Sequence, residues 1–139
     1  PFFAFLFYDS PHAYALPDGY RQPFQPTIDG PTNYLTLGEG TDPVPPRNRY
    51  FNSVHYVDEL VGQVLDRLEA DGLLEDSVVI ITGDHGQEFN ENGLNFWGHN
   101  GNFSRWQAQV PFIIRGPGLP AGSFEHRTSH MDVMATLMS

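Results

Sequence analysis

A carboxylate and an imidazole stand side by side in the stretch "IITGDHGQEF", where Asp84 and His85 lie between Gly83 and Gly86. Together they supply two kinds of ligand for a first-row metal. The flanking glycines let the backbone turn sharply enough for both side chains to face one point, and Gly83 leaves room for close approach. The competing reading is an ordinary strand-ending turn with a solvated histidine. His12 in "YDSPH" and His99 in "NFWGHNGNF" are further candidates, though each alone reads equally as a loop histidine. Asp9 is either a ligand or a turn starter before Ser10 and Pro11. His55 flanks an apolar stripe and reads as structural. His126 and His130 read as packing or capping neighbours, Trp97 and Trp106 as packing residues, and Glu88 and Glu91 as a solvated face.

Composition removes several other chemistries. The 139 residues include no cysteine, so thiolate nucleophiles, disulfides and cysteine-based zinc sites are excluded. All seven basic residues are arginines, and the net charge of −10 argues against a nucleic-acid partner. No glycine-rich phosphate loop follows a strand, and no G-x-S-x-G elbow is present. No apolar run approaches the roughly 18–20 residues needed to span a bilayer. At 40% hydrophobic and 14% aromatic, the chain has a globular composition.

The elements that must position these residues follow from periodicity. Phe2 to Tyr8 is a continuous apolar run, expected as a strand buried on both faces and ending near Asp9 before Pro11. Residues 9–48 have no periodicity and hold most of the twelve prolines. They form either a plain insertion or a lid over a pocket. Tyr50 to about Ala70 is a helix, with Val54, Val57, Leu60, Val61, Val64, Leu65 and Leu68 on one stripe and Gly72 just past its end. Ser77 to Thr82 and Gln109 to Arg115 are two more strands. A last helix starts near His130, capped by Thr128 or Ser129. The strand–helix–strand order implies parallel strands. Ligands then bind beyond the carboxyl ends, where Asp9–His12 and Asp84–His85 would converge. The chain opens on a strand and stops inside an amphipathic segment, so part of the sheet and of the site is expected to lie upstream in a larger protein.

Four segments in order carry a resemblance. They are "PFFAFLFYDSPH", "VHYVDELVGQVLDRLEADGLLEDSVVIITGDHG", "GNFSRWQAQVPFIIRGPG" and "SHMDVMATLM". Together they resemble the sulfatase branch of the alkaline phosphatase superfamily, and more closely the sulfatase-like periplasmic domain of YejM-type inner-membrane proteins. The resemblance covers most of the chain, with 17–48 unassigned. It implies an α/β fold of three layers, a mostly parallel sheet with helices on both faces, of which this chain (1–139) is the C-terminal portion.

The resemblance also implies roles. Asp84 and His85 would be ligands of a divalent metal (zinc, manganese, magnesium or calcium), with Asp9 a weaker match. His12 would contact the oxygens of a phosphate or sulfate group or bind a second metal, and His99 would lie near that group. The implied activity is hydrolysis or transfer of phosphate or sulfate esters, on the periplasmic face of a bacterial inner membrane, with an anionic ester or lipid headgroup as partner and a membrane tether upstream. The family's nucleophile and its sulfate-binding lysines have no counterpart in this chain, which by itself is expected to be inactive. The other reading is a catalytically silent domain on the same fold, which binds or regulates envelope lipids.

Overall fold

The computed structural model describes residues 2–138. In chain order it contains α1 (Ser10–Ala13), a 3-10 turn (Tyr34–Thr36), α2 (Val44–Ala70), a second 3-10 turn (Leu74–Asp76), β1 (Val79–Thr82), β2 (Glu88–Phe89), β3 (Trp97–Gly98), α3 (Arg105–Ala108), β4 (Phe112–Arg115) and α4 (Met131–Met138).

Helix α2 begins six residues before its apolar stripe suggests. Pro45 lies within the first helical turn, where its missing N–H is unpaired in any case, so "VPPRNRY" starts the helix rather than delaying it. The other end follows the expected pattern. Gly72 has φ +69°, its N–H donates to the carbonyl of Glu69, and Leu73 N–H donates to that of Leu68. This is a Schellman closure with glycine at the left-handed position.

The buried side chains of α2 are Pro46, Arg49, Asn52 and Ser53, whereas Val54 is 40% exposed and the rest of the apolar stripe is half-buried. Arg49 and Asn52 fasten the preceding loop, whereas the Ser53 hydroxyl donates to the Tyr50 carbonyl within the helix at 2.7 Å. Asn52 accepts from Phe24 N–H and donates to Phe24 C=O, both at 3.0 Å. Arg49 donates from Nε to the Tyr14 carbonyl at 2.8 Å and from a terminal nitrogen to Gln22 Oε1 at 2.9 Å. Asn48 donates to Pro26 C=O at 2.9 Å, and the Tyr20 hydroxyl meets His55 Nδ1 at 2.7 Å. Residues 14–26 are thus laid along the helix by side-chain hydrogen bonds. Replacing Asn52 by alanine leaves both Phe24 backbone groups unpaired. The expected loss is on the order of 2 kcal/mol, read by denaturant unfolding, with faster amide exchange around Phe24 than elsewhere. Uniform exchange along the chain would contradict this.

The two sheets are small and antiparallel. β1 pairs with β4, with Ile80 opposite Ile114 and Ile81 opposite Ile113, and β2 pairs with β3, with Glu88 opposite Gly98. The expected parallel pairing of the first apolar segment is not seen. Phe2–Phe7 is exposed (Phe3 at 86%) and has no strand partner among the described residues. Only β4 lies against β1, and its direction makes the pair antiparallel. The two strands also begin two and three residues later than expected, at Val79 and Phe112.

The enclosed apolar side chains are aromatic. Tyr14 is 1% exposed and Phe89 4%. Tyr14 meets Tyr50 edge-on with centroids 5.4 Å apart and Tyr34 at 6.1 Å, and Tyr50 lies 5.5 Å from Phe89. Such edge contacts add to simple burial. At the far end, the Asp132 carboxylate in the first turn of α4 accepts from Ser129 N–H at 2.6 Å and from the Ser129 hydroxyl at 3.2 Å, so Ser129 donates to the helix start rather than accepting from its N–H groups.

Candidate functional site

Three histidines from three separate segments come together. His12 is carried by the short helix α1, His85 by the turn after β1 and His99 by the residue after β3. The rings of His85 and His99 stack with centroids 3.9 Å apart at 21°, and His12 lies 5.4 Å from His99. Each holder has a local cause. Pro11 sits in the first turn of α1, and Tyr14 closes that helix in the left-handed region at φ +54°. Gly98, at φ +88°, turns the chain immediately before His99.

His85 has a defined tautomer. Its Nδ1 lies 2.8 Å from the Gly86 carbonyl, and a carbonyl only accepts. The proton therefore sits on Nδ1, and Nε2 of the neutral ring keeps its electron pair. Asp84 Oδ1 is 3.8 Å from that nitrogen and also accepts from His85 N–H at 3.0 Å. Two donors that each sit about 2.0–2.2 Å from one zinc ion stand roughly 3–4 Å apart. The spacing and the free electron pairs therefore suit a shared divalent ion. His85 is half-buried and Asp84 largely exposed. Among the described residues no three His, Asp or Glu side chains gather as a metal shell. Asp9 stands just before α1, and its side chain makes no capping bond there.

Gly86 serves a different purpose from the one its sequence context suggests. Neither Gly83 nor Gly86 has a positive φ. Instead, Gly86 N–H donates to Gln107 C=O at 2.7 Å, and a Cβ on Gly86 would stand 2.0 Å from the Trp106 carbonyl oxygen. Glycine is needed here for contact between main chains. Gly83, credited with close approach from sequence, would place a Cβ no nearer than 3.4 Å to any atom outside its chain neighbours. Its carbonyl accepts from His130 Nε2 at 2.8 Å, which ties the start of α4 to the residue before Asp84.

Glu88 corrects another expectation. It is fully buried rather than part of a solvated face. Its Oε2 accepts from Gln107 at 2.7 Å and Ser104 at 2.9 Å, while Oε1 is buried with no partner. β2 alternates too briefly to reveal which face is enclosed, and both donors come from α3 and its N-cap. Glu91 does lie at the surface, where it accepts from Phe89 N–H.

Behind the histidines lies a polar cluster that sequence patterns do not mark. Gln87 Oε1 is 3.2 Å from His99 Nδ1, and its amide nitrogen bonds both the Tyr14 and the Tyr34 hydroxyls. Those hydroxyls are 3.0 Å apart. Burial, then the bond to Tyr34, pushes the Tyr14 phenol well above its ordinary pKa, so it stays protonated. His99 is shifted down, first by burial and then by the His85 and His12 rings, with Asp84 opposing. His55 bonds Tyr20 in the loop strap, in keeping with a structural role, and His126 is exposed.

Comparison with known proteins places this geometry in context. Residues 1–139 match the family model described as Sulfatase. The chain is 38% identical over 66% of its length to the choline-sulfatase of Rhizobium meliloti, covering 17% of that protein. It is 36% identical over 63% of its length to the steryl-sulfatase of Rattus norvegicus, again 17% of that protein. It is 36% identical over 65% to the inner membrane protein YejM of Salmonella typhimurium, covering 14% of it. The chain therefore spans less than one fifth of the length of these relatives. No solved structure matches it significantly. Among the described residues no helix is long and apolar enough to cross a membrane.

Proposed function

Because this chain belongs to the sulfatase family, and so to a fold of the alkaline phosphatase-like α/β class, we propose that it supplies part of the site of a metal-dependent hydrolase or transferase of sulfate or phosphate esters. The observation that carries the reading is the juxtaposition of Asp84 Oδ1 and His85 Nε2 beside the stacked His99 and the neighbouring His12. Asp84 and His85 would hold a divalent ion, with Asp9 a weaker candidate. When bound, such an ion polarises the ester and offsets the charge that develops on the transferring group.

The side chains do the rest. Asp84 brings negative charge to an exposed turn and is largely solvated, so it stays available as a ligand. His85 is held by the Gly86 carbonyl with its electron pair on Nε2. His12 and His99 either contact the oxygens of the anionic group or bind a second metal. The chain is the C-terminal portion of its domain, in which a larger, three-layered and mostly parallel sheet would run. Of residues 9–48, 10–13 form α1 and 44–48 open α2, and the loop between them is fastened to α2 through residues 14–26. Likeness to the inner membrane protein YejM supports a location at an inner membrane; the proposal adds its periplasmic face and a lipid headgroup among the candidate substrates.

The absence of lysine favours a second reading, a silent lipid-binding or regulatory domain, since Arg105 is the only basic residue between His99 and Arg115. Both readings are tested on the intact full-length protein with a chromogenic sulfate ester and a chromogenic phosphate ester. The expected result is turnover of at least one, abolished by chelation and restored by a divalent metal. Turnover that survives chelation overturns the metal role. Stoichiometric metal without turnover of either ester favours the silent domain.

A further inference from the structure

We propose that Gln87 is a positioning residue that fixes His99 in the tautomer protonated at Nδ1, leaving its Nε2 as a bare electron pair. The argument is a count of protons. One end of the Gln87 amide makes contacts with the Tyr14 and Tyr34 hydroxyls, which also contact each other at 3.0 Å. That makes three contacts among three polar atoms. If the amide nitrogen is the shared end, its two hydrogens and the phenol hydrogens suffice for all three. If the amide oxygen were the shared end, only the two phenol hydrogens would serve three contacts, and one would be a bare meeting of oxygens in a half-buried cluster. Tyr14 is 1% exposed, so water is poorly placed to relieve it.

The amide oxygen is therefore the end turned to His99, 3.2 Å from Nδ1. An amide oxygen only accepts, so Nδ1 donates, and the neutral ring holds its electron pair on Nε2. This deepens the proposed function and rests on it for its consequence. Of the two roles open to His99, a hydrogen bond to substrate oxygens needs an N–H, whereas a second metal needs an electron pair. The tautomer selects the metal role. The two aromatic hydroxyls, which never reach His99, act on it by orienting the amide.

The test is nitrogen-15 NMR of histidine-labelled intact protein, after chelation so that bound metal does not impose the tautomer. Wild type is expected to show Nδ1 protonated and Nε2 unprotonated on His99. Gln87→Leu removes the acceptor and is expected to shift population toward the Nε2–H form. Gln87→Glu, whose carboxylate only accepts, is expected to keep the wild-type pattern. An Nε2–H signature in wild type overturns the proposal, as does an unchanged pattern in Gln87→Leu. Should Gln87→Leu not fold, loss of the Nδ1 proton in Gln87→Glu has the same force. These spectra do not depend on turnover. An inactive protein with the Nδ1–H tautomer counts against the proposed function and leaves the tautomer standing.

Discussion

Asp84→Ala is expected to strip the full-length protein of its divalent metal while leaving it folded. Loss of groups that merely orient metal ligands already lowers affinity about 10–100-fold. If Asp84 holds the ion as proposed, removing it, the only negative charge within 4 Å of His85 Nε2 among the described residues, is expected to cost more than about 100-fold. Ester turnover should fall by at least the same order. Stability should barely change. The Asp84 side chain is 79% exposed, and its bond to His85 N–H is a local one whose donor can turn to water. Surface changes of this kind usually stay within about 0.5 kcal/mol. Metal content by elemental analysis, beside a denaturant melt, separates the two effects. Equal metal in wild type and variant would remove Asp84 from the site. Asp9→Ala is a useful companion, because the proposal gives that carboxylate the weaker part.

The second large effect concerns packing. Gly86→Ala should destabilise the protein by about 3 kcal/mol or more, at the upper end of what overpacking costs. The new methyl would stand 2.0 Å from the Trp106 carbonyl oxygen, 3.0 Å from its carbon and 3.2 Å from the Gln109 oxygen. All three are main-chain atoms, which no rotamer change can move aside. Relief requires α3 to separate from the turn, which breaks the Gly86–Gln107 bond and loosens the donors of Glu88. Gly83→Ala is the control, since its nearest atom is 3.4 Å away and its methyl sits in ordinary contact. Paired urea titrations check both, and similar midpoints for the two variants would refute the packing argument.

Some of this was readable from the amino acids alone. The end of α2 at Gly72 could be read because one residue type solves one backbone problem. The Asp84–His85 pair is legible because two adjacent side chains of ligand type need no knowledge of the fold. An assumed parallel edge brings His12 to His85, and only the family resemblance adds His99, yet the structure reaches this meeting by another route. α1 delivers His12, and the Gly98 turn delivers His99, without pairing of Phe2–Tyr8 among the described residues. The burial of Glu88 is hidden in the sequence because β2 is two residues long and its donors lie 16 and 19 positions away. Gln87 carried no signal, since its partners Tyr14 and Tyr34 sit in a stretch without periodicity. The start of α2 was hidden by prolines that normally mark a break. In each failure the deciding contact spans a long sequence separation or contradicts a local propensity.

The strap between α2 and the preceding loop has a consequence for variation. Asn48 and Asn52 take hold of main-chain atoms at Pro26 and Phe24, and Arg49 Nε does so at Tyr14. Of the loop's own side chains, Gln22 and Tyr20 add hydrogen bonds, and Tyr14 and Phe24 pack their rings against Tyr50 and Phe51, so these four are anchors too. A handrail gripped at its posts can be repainted freely. Residues between the anchor points can change their chemistry while the path of the backbone is kept, so related proteins could carry different loop surfaces beside the same histidines on one helix sequence.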